Sequence, residues 1–198
     1  MPTSSRRHGA ELAAAILDAG WDELVEIGYA RLTMGSVAAR AHTSEPVLYR
    51  RWANKDQLVL AVFDRYRATH PVPAPDTGDL RDDLLQHLTA LSDSFAGFFA
   101  IAMAASFSGL LAATGLSPAQ MREDVLGDEL RPQARAVYRQ AATRGELAPE
   151  TVPPAVLALP FDLVRHDLLM GLKPLDPERI RSIVDEIFLP LLRAHTSS

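Results

Sequence analysis

Apolar residues recur along this chain at three- and four-residue spacing almost from end to end, the pattern of amphipathic helices. Leu12, Ile16, Leu17, Trp21, Leu24 and Val25 mark one face of a first helix, which Gly28 is placed to end. A second, short helix is expected after Thr33, whose hydroxyl can accept from the free amides of a first turn, and it ends near Ala41. A third runs from Glu45 to Arg51, with Ser44 as its cap and Pro46 early, where a missing N–H does no harm. A fourth opens at Lys55 and buries Leu58, Val59, Val62, Phe63 and Tyr66.

The segment 70–79 then breaks the pattern, because Pro71, Pro73 and Pro75 cannot continue a helix. It predicts a boundary between a domain at 1–70 and a larger one at 71–198. Beyond it the periodicity predicts helices at 79–94, 95–114, 117–143, 153–171 and 177–195, with kinks at Pro132, Pro160 and Pro190. Sustained period-two alternation is missing. The expected fold is all-α, an N-terminal three-helix module followed by a helical bundle.

Thr33 to Trp52 carries the chemistry. Two short helices joined by a tight turn need a small side chain where they cross, which Ala38 supplies, while Val37, Ala41 and Leu48 close a miniature core. The second helix of the pair is left projecting, a shape that enters a DNA major groove about 12 Å wide. An ordinary helical hairpin that mediates protein contacts is the alternative.

Charge supports the DNA reading locally. The chain has a net charge of −5, but residues 29–67 hold seven basic residues (Arg31, Arg40, Arg50, Arg51, Lys55, Arg65, Arg67) against three acids (Glu45, Asp56, Asp64). With no cysteine there are no disulfides or thiolate metal sites. Phosphate-loop, nucleophile-elbow and zinc-helix motifs are missing and the six histidines are scattered, so no enzyme, metal site or cofactor is expected. No signal peptide and no membrane association are expected, and a cytoplasmic location follows. The most apolar stretch, Phe95 to Ala113, reads as a buried helix.

The spacing Thr33, Val37, Ala38, Ala41, then Thr43, Ser44, Leu48, Tyr49, Arg50, Arg51, Trp52, Lys55, Leu58 resembles the N-terminal signature of the TetR family of transcriptional regulators. The resemblance covers residues 10–67 and extends weakly to Arg144-Gly-Glu-Leu147 and to Pro160–His166, similar to an actinobacterial-type subgroup. It implies a homodimeric repressor that binds a pseudo-palindromic double-stranded operator and is released by a small apolar effector. By the same resemblance Thr33, Tyr49, Lys55 and Arg51 contact phosphate, while Thr43, Ser44, Glu45, Val47 and Arg50 face base edges. Arg6 and Arg7 form a flexible arm or a solvated terminus. Two positions depart from the family pattern: His42 stands where glycine is usual, and Glu45 where lysine is common.

For the second domain the resemblance implies effector binding and dimerisation. Phe95, Phe99, Met103, Phe107, Met121 and Met170 could line an apolar pocket with His166 as a polar anchor, or could simply be core. Val164, Leu168, Ile183, Ile187 and Leu191, on the two most apolar helices, are the expected dimer interface.

Overall fold

A computed structural model describes residues 4–117, 120 and 130–196, and every regular element among them is helical. The chain forms two compact units: Met1–Pro71 with Ile101–Gly127, and Val72–Ala100 with Asp128–Ser198.

In the first unit α1 (Ser4–Arg31) packs on α2 (Met34–Arg40) and on α4 (Lys55–Thr69), and α2 packs on α3 (Glu45–Tyr49). Gly28 interrupts α1 where the sequence placed its stop. It breaks the helix at φ 75°, and one further turn closes through the Leu32 amide on the Gly28 carbonyl, 3.1 Å. Gly20 has a packing role that periodicity does not reveal: a Cβ there would lie 2.7 Å from Val62 Cγ2 on α4, so the two helices cross at a glycine. Ile16, Leu24, Leu48, Leu58 and Phe63 fill the interior around that crossing.

α5 (Leu80–Ala105), which starts in the second unit and whose end from Ile101 belongs to the first together with the turn and helix that follow it, runs unbroken where two helices were expected at 79–94 and 95–114, because no glycine cap or proline separates them. Ser106–Leu110 widens into a π turn, with Gly109 at φ 111°, and α6 (Leu111–Thr114) follows. The span Leu80–Thr114 is apolar and long enough by composition to cross a membrane. It also buries Asp83, His87 and Ser92, polar groups with partners inside the protein fold. The rest of the second unit is built from α7 (Leu130–Thr143), α8 (Pro154–Gly171), α9 (Pro177–Arg181), a second π turn at Ser182–Phe188 and α10 (Leu189–Thr196). The second π turn directly precedes Pro190, whose ring crowds the preceding turn and whose missing N–H leaves a carbonyl free.

The proline segment is fastened rather than loose. Val72 is buried, and the Pro73 carbonyl lies 2.5 Å from His87 Nδ1. Thr77 donates from its amide (2.6 Å) and its hydroxyl (2.8 Å) to Asp83 Oδ1. Arg144 bridges Asp83 Oδ2 at 2.8 Å, Asp76 and Glu146, and the Glu146 carboxylate accepts from the Leu80 amide at 2.7 Å. Arg144-Gly-Glu146, noted in the sequence only as a family resemblance, is therefore the clasp between this strap and the start of α5.

Burial lowers the pKa of His87 below its ordinary 6.5, against the raising effect of the Pro73 carbonyl. The unfolded chain thus binds a proton that the folded chain refuses, and stability falls as pH drops through 6.5 toward the folded value. Denaturant titrations at pH 7.5 and about 5.5 are expected to differ for the parent chain and to differ much less for His87→Gln. An equal loss in both would remove His87 as the cause.

Candidate nucleic-acid interface

The helix pair is built by local chemistry. Thr33 Oγ1 accepts from the Ser36 amide at 2.9 Å while Ser36 Oγ accepts from the Thr33 amide at 3.1 Å, a reciprocal cap that starts α2. The turn closes with the Thr43 amide on the Ala38 carbonyl (2.9 Å) and the His42 amide on the Ala39 carbonyl (3.1 Å). This arrangement needs a left-handed residue, and His42 takes it at φ 51°. Ser44 occupies the cap of α3 with extended backbone but makes no side-chain capping bond, and regular helix ends at Tyr49, two residues before the expected end. Val37, Ala38 and Leu48 are buried between the helices.

Thr33, Ser44, Glu45, Tyr49, Arg50 and Arg51 are exposed, while Thr43, Val47 and Lys55 are half-buried. Tyr49 is 52% exposed, a large ring facing water with no core to fill. The cations divide into two groups. Arg40 pairs with Glu23 at 2.6 Å and with Glu26, Arg65 grips Asp18 at 2.7 Å, and Arg67 pairs with Asp64. Arg31, Arg50, Arg51 and Lys55 make no ion pair among the described residues. What the local charge count treats as one basic stretch is a set of arginines paired with carboxylates plus four cations that make no ion pair among the described residues.

Lys55 is held more tightly than a free phosphate contact. Its Nζ donates to the Tyr29 carbonyl at 3.2 Å and sits 4.3 Å from the Tyr29 ring centroid. Tyr29 in turn donates to Asp56 Oδ1 at 2.5 Å, and burial together with that carboxylate pushes its phenol far above its ordinary value. Lys55 thus also ties the end of α1 to the start of α4. Glu45 reaches back over α2: a Cβ on Gly35 would lie 2.7 Å from Glu45 Oε1. A carboxylate therefore stands on the surface that the resemblance assigns to phosphate.

The effector and dimer expectations are corrected in part. Phe95 and Phe99 are buried with Phe98 in an aromatic cluster, ring centroids 5.7 to 6.4 Å apart. Met103 is half-buried, whereas Phe107, inside the π turn, is 85% exposed. Met170 is 70% exposed and His166 is exposed, so neither lines an enclosed pocket. Met121, Arg6 and Arg7 lie outside the residues whose side chains are described. Val164, Leu168 and Ile183 are fully buried within the single chain, since α8 packs on the Ser182–Phe188 turn, so they cannot face a partner. Ile187 and Leu191 keep exposed surface. Sequence reasoning missed His87, whose ring meets Phe161 edge-on at 5.8 Å, and Tyr138, whose hydroxyl donates to the Leu157 carbonyl at 2.8 Å. His87 could have been suspected from its place four residues after Asp83, on the face of Leu84, Leu88 and Leu91.

Comparison with known proteins places this geometry. Residues 16–62 match the family model described as bacterial regulatory proteins, tetR family, and residues 74–187 match that of a tetracyclin repressor-like C-terminal domain. The chain is 31% identical over 193 residues to a DNA-binding transcriptional repressor TetR of Mycobacteroides abscessus, covering 93% of this chain and 96% of that protein. It is 34% identical over 178 residues to an uncharacterized HTH-type transcriptional regulator of Mycobacterium tuberculosis, covering 87% and 84%. The crystal structure of a TetR family transcription regulator from Marinobacter aquaeolei shares the fold at TM-score 0.53 and 20% identity, over 91% of this chain and 95% of that one.

Proposed function

Because this chain belongs to the TetR family of transcriptional regulators, we propose that it is a repressor that binds a pseudo-palindromic DNA operator through α3 and its flanks. The observation that carries the reading is the reciprocally capped helix pair, which presents Tyr49, Arg50 and Arg51 to solvent, both arginines without an ion pair among the described residues. Arg50 is the base reader, able to bridge guanine O6 and N7, with Thr43, Ser44 and Val47 beside it. Thr33, Tyr49 and Arg51 lie at the phosphates. Lys55 acts there only with the protons that the Tyr29 carbonyl leaves free. DNA and a second copy of the chain are the partners, and the working domains are 1–70 for DNA and 71–198 for effector and dimerisation.

Fluorescence anisotropy against salt tests the DNA surface. Arg50→Ala is expected to cost about 1–3 kcal/mol on the preferred duplex and to relax its preference. Glu45→Lys removes the carboxylate over α2 and adds a cation, so it is expected to tighten binding to every duplex and to steepen the salt slope by about one. A chain whose binding ignores salt and both substitutions is not reading DNA through this surface.

The dimer face lies one step around the helices from the buried stripe. Leu159, Leu163 and Met170 on α8, with Ile187 and Leu191, keep apolar surface exposed at helical spacing. We assign these side chains to the second subunit. The effector is a small, largely apolar molecule taken up by the second unit, whose aromatic interior supports that class, and it must bind the DNA-incompetent conformer more tightly to act as inducer. Apolar compounds that raise the melting temperature yet leave operator affinity unchanged count against that role.

A further inference from the structure

Two opposite charges open α4 side by side and do not pair. Lys55 is its first residue and Asp56 its second, and no ion pair joins them among the described residues. Both converge instead on Tyr29, near the end of α1 and only 5% exposed. The Lys55 ammonium lies 4.3 Å from the ring centroid and donates to the Tyr29 carbonyl at 3.2 Å. The phenol hydroxyl donates to Asp56 Oδ1 at 2.5 Å.

One residue thus satisfies both charged groups and gives neither a counter-charge. A ring face attracts an ammonium without carrying a full negative charge, and a phenol O–H satisfies a carboxylate without carrying a positive one. Adjacent residues of a helix point apart, so it is the shared ring that brings the two charges to one place. Were the hydroxyl absent, the carboxylate would lose its donor while the ring still held the ammonium beside it. Direct pairing would then spend on Asp56 the attraction that Lys55 can offer a phosphate.

We propose that Tyr29 is a positioning residue for DNA binding: its hydroxyl holds the Asp56 carboxylate off Lys55, so that the Lys55 charge stays available to a phosphate. The proposal rests on the DNA reading above and on the phosphate role of Lys55 within it. The resemblance gives Lys55 that role and gives none to Tyr29 or Asp56.

The test is a double-mutant cycle in the full-length chain: Tyr29→Phe, which keeps the ring and loses the hydroxyl, Asp56→Asn, and the two together. Binding to a random duplex is followed by anisotropy against salt, well below the lowest melting temperature of the set. Tyr29→Phe is expected to weaken binding about three- to five-fold, the scale of an ion pair at a surface. It is also expected to flatten the salt slope by about one, as the loss of one phosphate contact does. Asp56→Asn alone is expected to bind at least as tightly as the parent. In that background Tyr29→Phe is expected to change affinity less than about two-fold, because no carboxylate is left to capture the ammonium. An equal cost in both backgrounds makes the hydroxyl a structural support and overturns the proposal, as does a Tyr29→Phe chain that binds like the parent.

Acylation of the free protein, read by mass spectrometry, reports on Lys55 without DNA. The chain has two lysines, and the exposed Lys173 serves as the internal reference. A carboxylate partner holds the amine in its unreactive ammonium form, so modification of Lys55 relative to Lys173 is expected to fall about three-fold in Tyr29→Phe and to recover in the double variant. A ratio that stays constant across the set overturns the proposal. A ratio that falls in a chain that binds no duplex would refute the DNA reading, while the separation of the two charges by Tyr29 would stand.

Discussion

Arg144→Met is expected to lower the unfolding free energy and the urea midpoint clearly, because it leaves the buried Asp83 carboxylate without its charged partner. Asp83 is fully buried, and its carboxylate is shared between Thr77 on the strap and the Arg144 guanidinium. Burial alone would raise the Asp83 pKa. The Thr77 amide and hydroxyl and the Arg144 charge outweigh it and hold the group below its ordinary range. Removing Arg144 also frees Asp76 and Glu146, the latter the acceptor for the first amide of α5. Urea titration followed by circular dichroism measures the loss. Adding Asp83→Asn to Arg144→Met is expected to recover part of it, since no charge then stays buried. Because the folded pKa of Asp83 is depressed, its contribution is present above about pH 4 and disappears as pH falls through the folded value. An Arg144→Met chain as stable as the parent would make the clasp a surface ornament worth no more than an exposed pair.

Leu163→Arg is expected to break the dimer and to lower operator affinity by about 10²–10⁴, because two linked half-site contacts become one. Leu163 keeps exposed surface on α8 in line with Leu159 and Met170, so an arginine there can reach water in the isolated subunit. Leu168 is fully buried, and Leu168→Arg is expected to unfold the chain instead of dividing it. Light scattering with circular dichroism separates the two outcomes: a folded monomer for Leu163→Arg, and lost helix or aggregation for Leu168→Arg. An interface of this kind buries more than about 1,200 Å². A folded, dimeric Leu163→Arg with full affinity would put the second subunit on another face.

The helix pair was legible in the sequence because everything that makes it is local. A threonine cap, a small residue at the crossing, apolar residues at helical spacing and a turn that requires positive φ lie within twenty residues, and His42 at φ 51° is where the family departure placed it. The contacts that escaped are long-range. The Gly20–Val62 crossing, the Arg51 bond to Gly9 and the Lys55 bond to Tyr29 join residues 26 to 42 positions apart, and periodicity carries no information about such pairs. The dimer stripe failed differently. Val164 and Leu168 have the right spacing, but spacing alone does not say whether an apolar face is covered by its own subunit or by another, and here the Ser182–Phe188 turn covers it. Phe107 was expected in an apolar pocket or in the core, and it lies in the π turn, exposed. His87 was not singled out in the sequence, yet its Nδ1 donates to the Pro73 carbonyl inside the strap.

The central claim is that α3 reads DNA sequence as one half of a symmetric pair, and selection from a pool of random duplexes tests it most directly. Repeated rounds of binding to the full-length chain at about 150 mM salt are expected to enrich an inverted repeat with half-sites about one helical turn apart. That sequence is expected to bind at least about 10³-fold more tightly than the starting pool, and Arg50→Ala is expected to lose the enrichment at one symmetric pair of positions. A pool that stays random after selection, or enriches a sequence without symmetry, with selected and starting duplexes bound equally, would contradict the account.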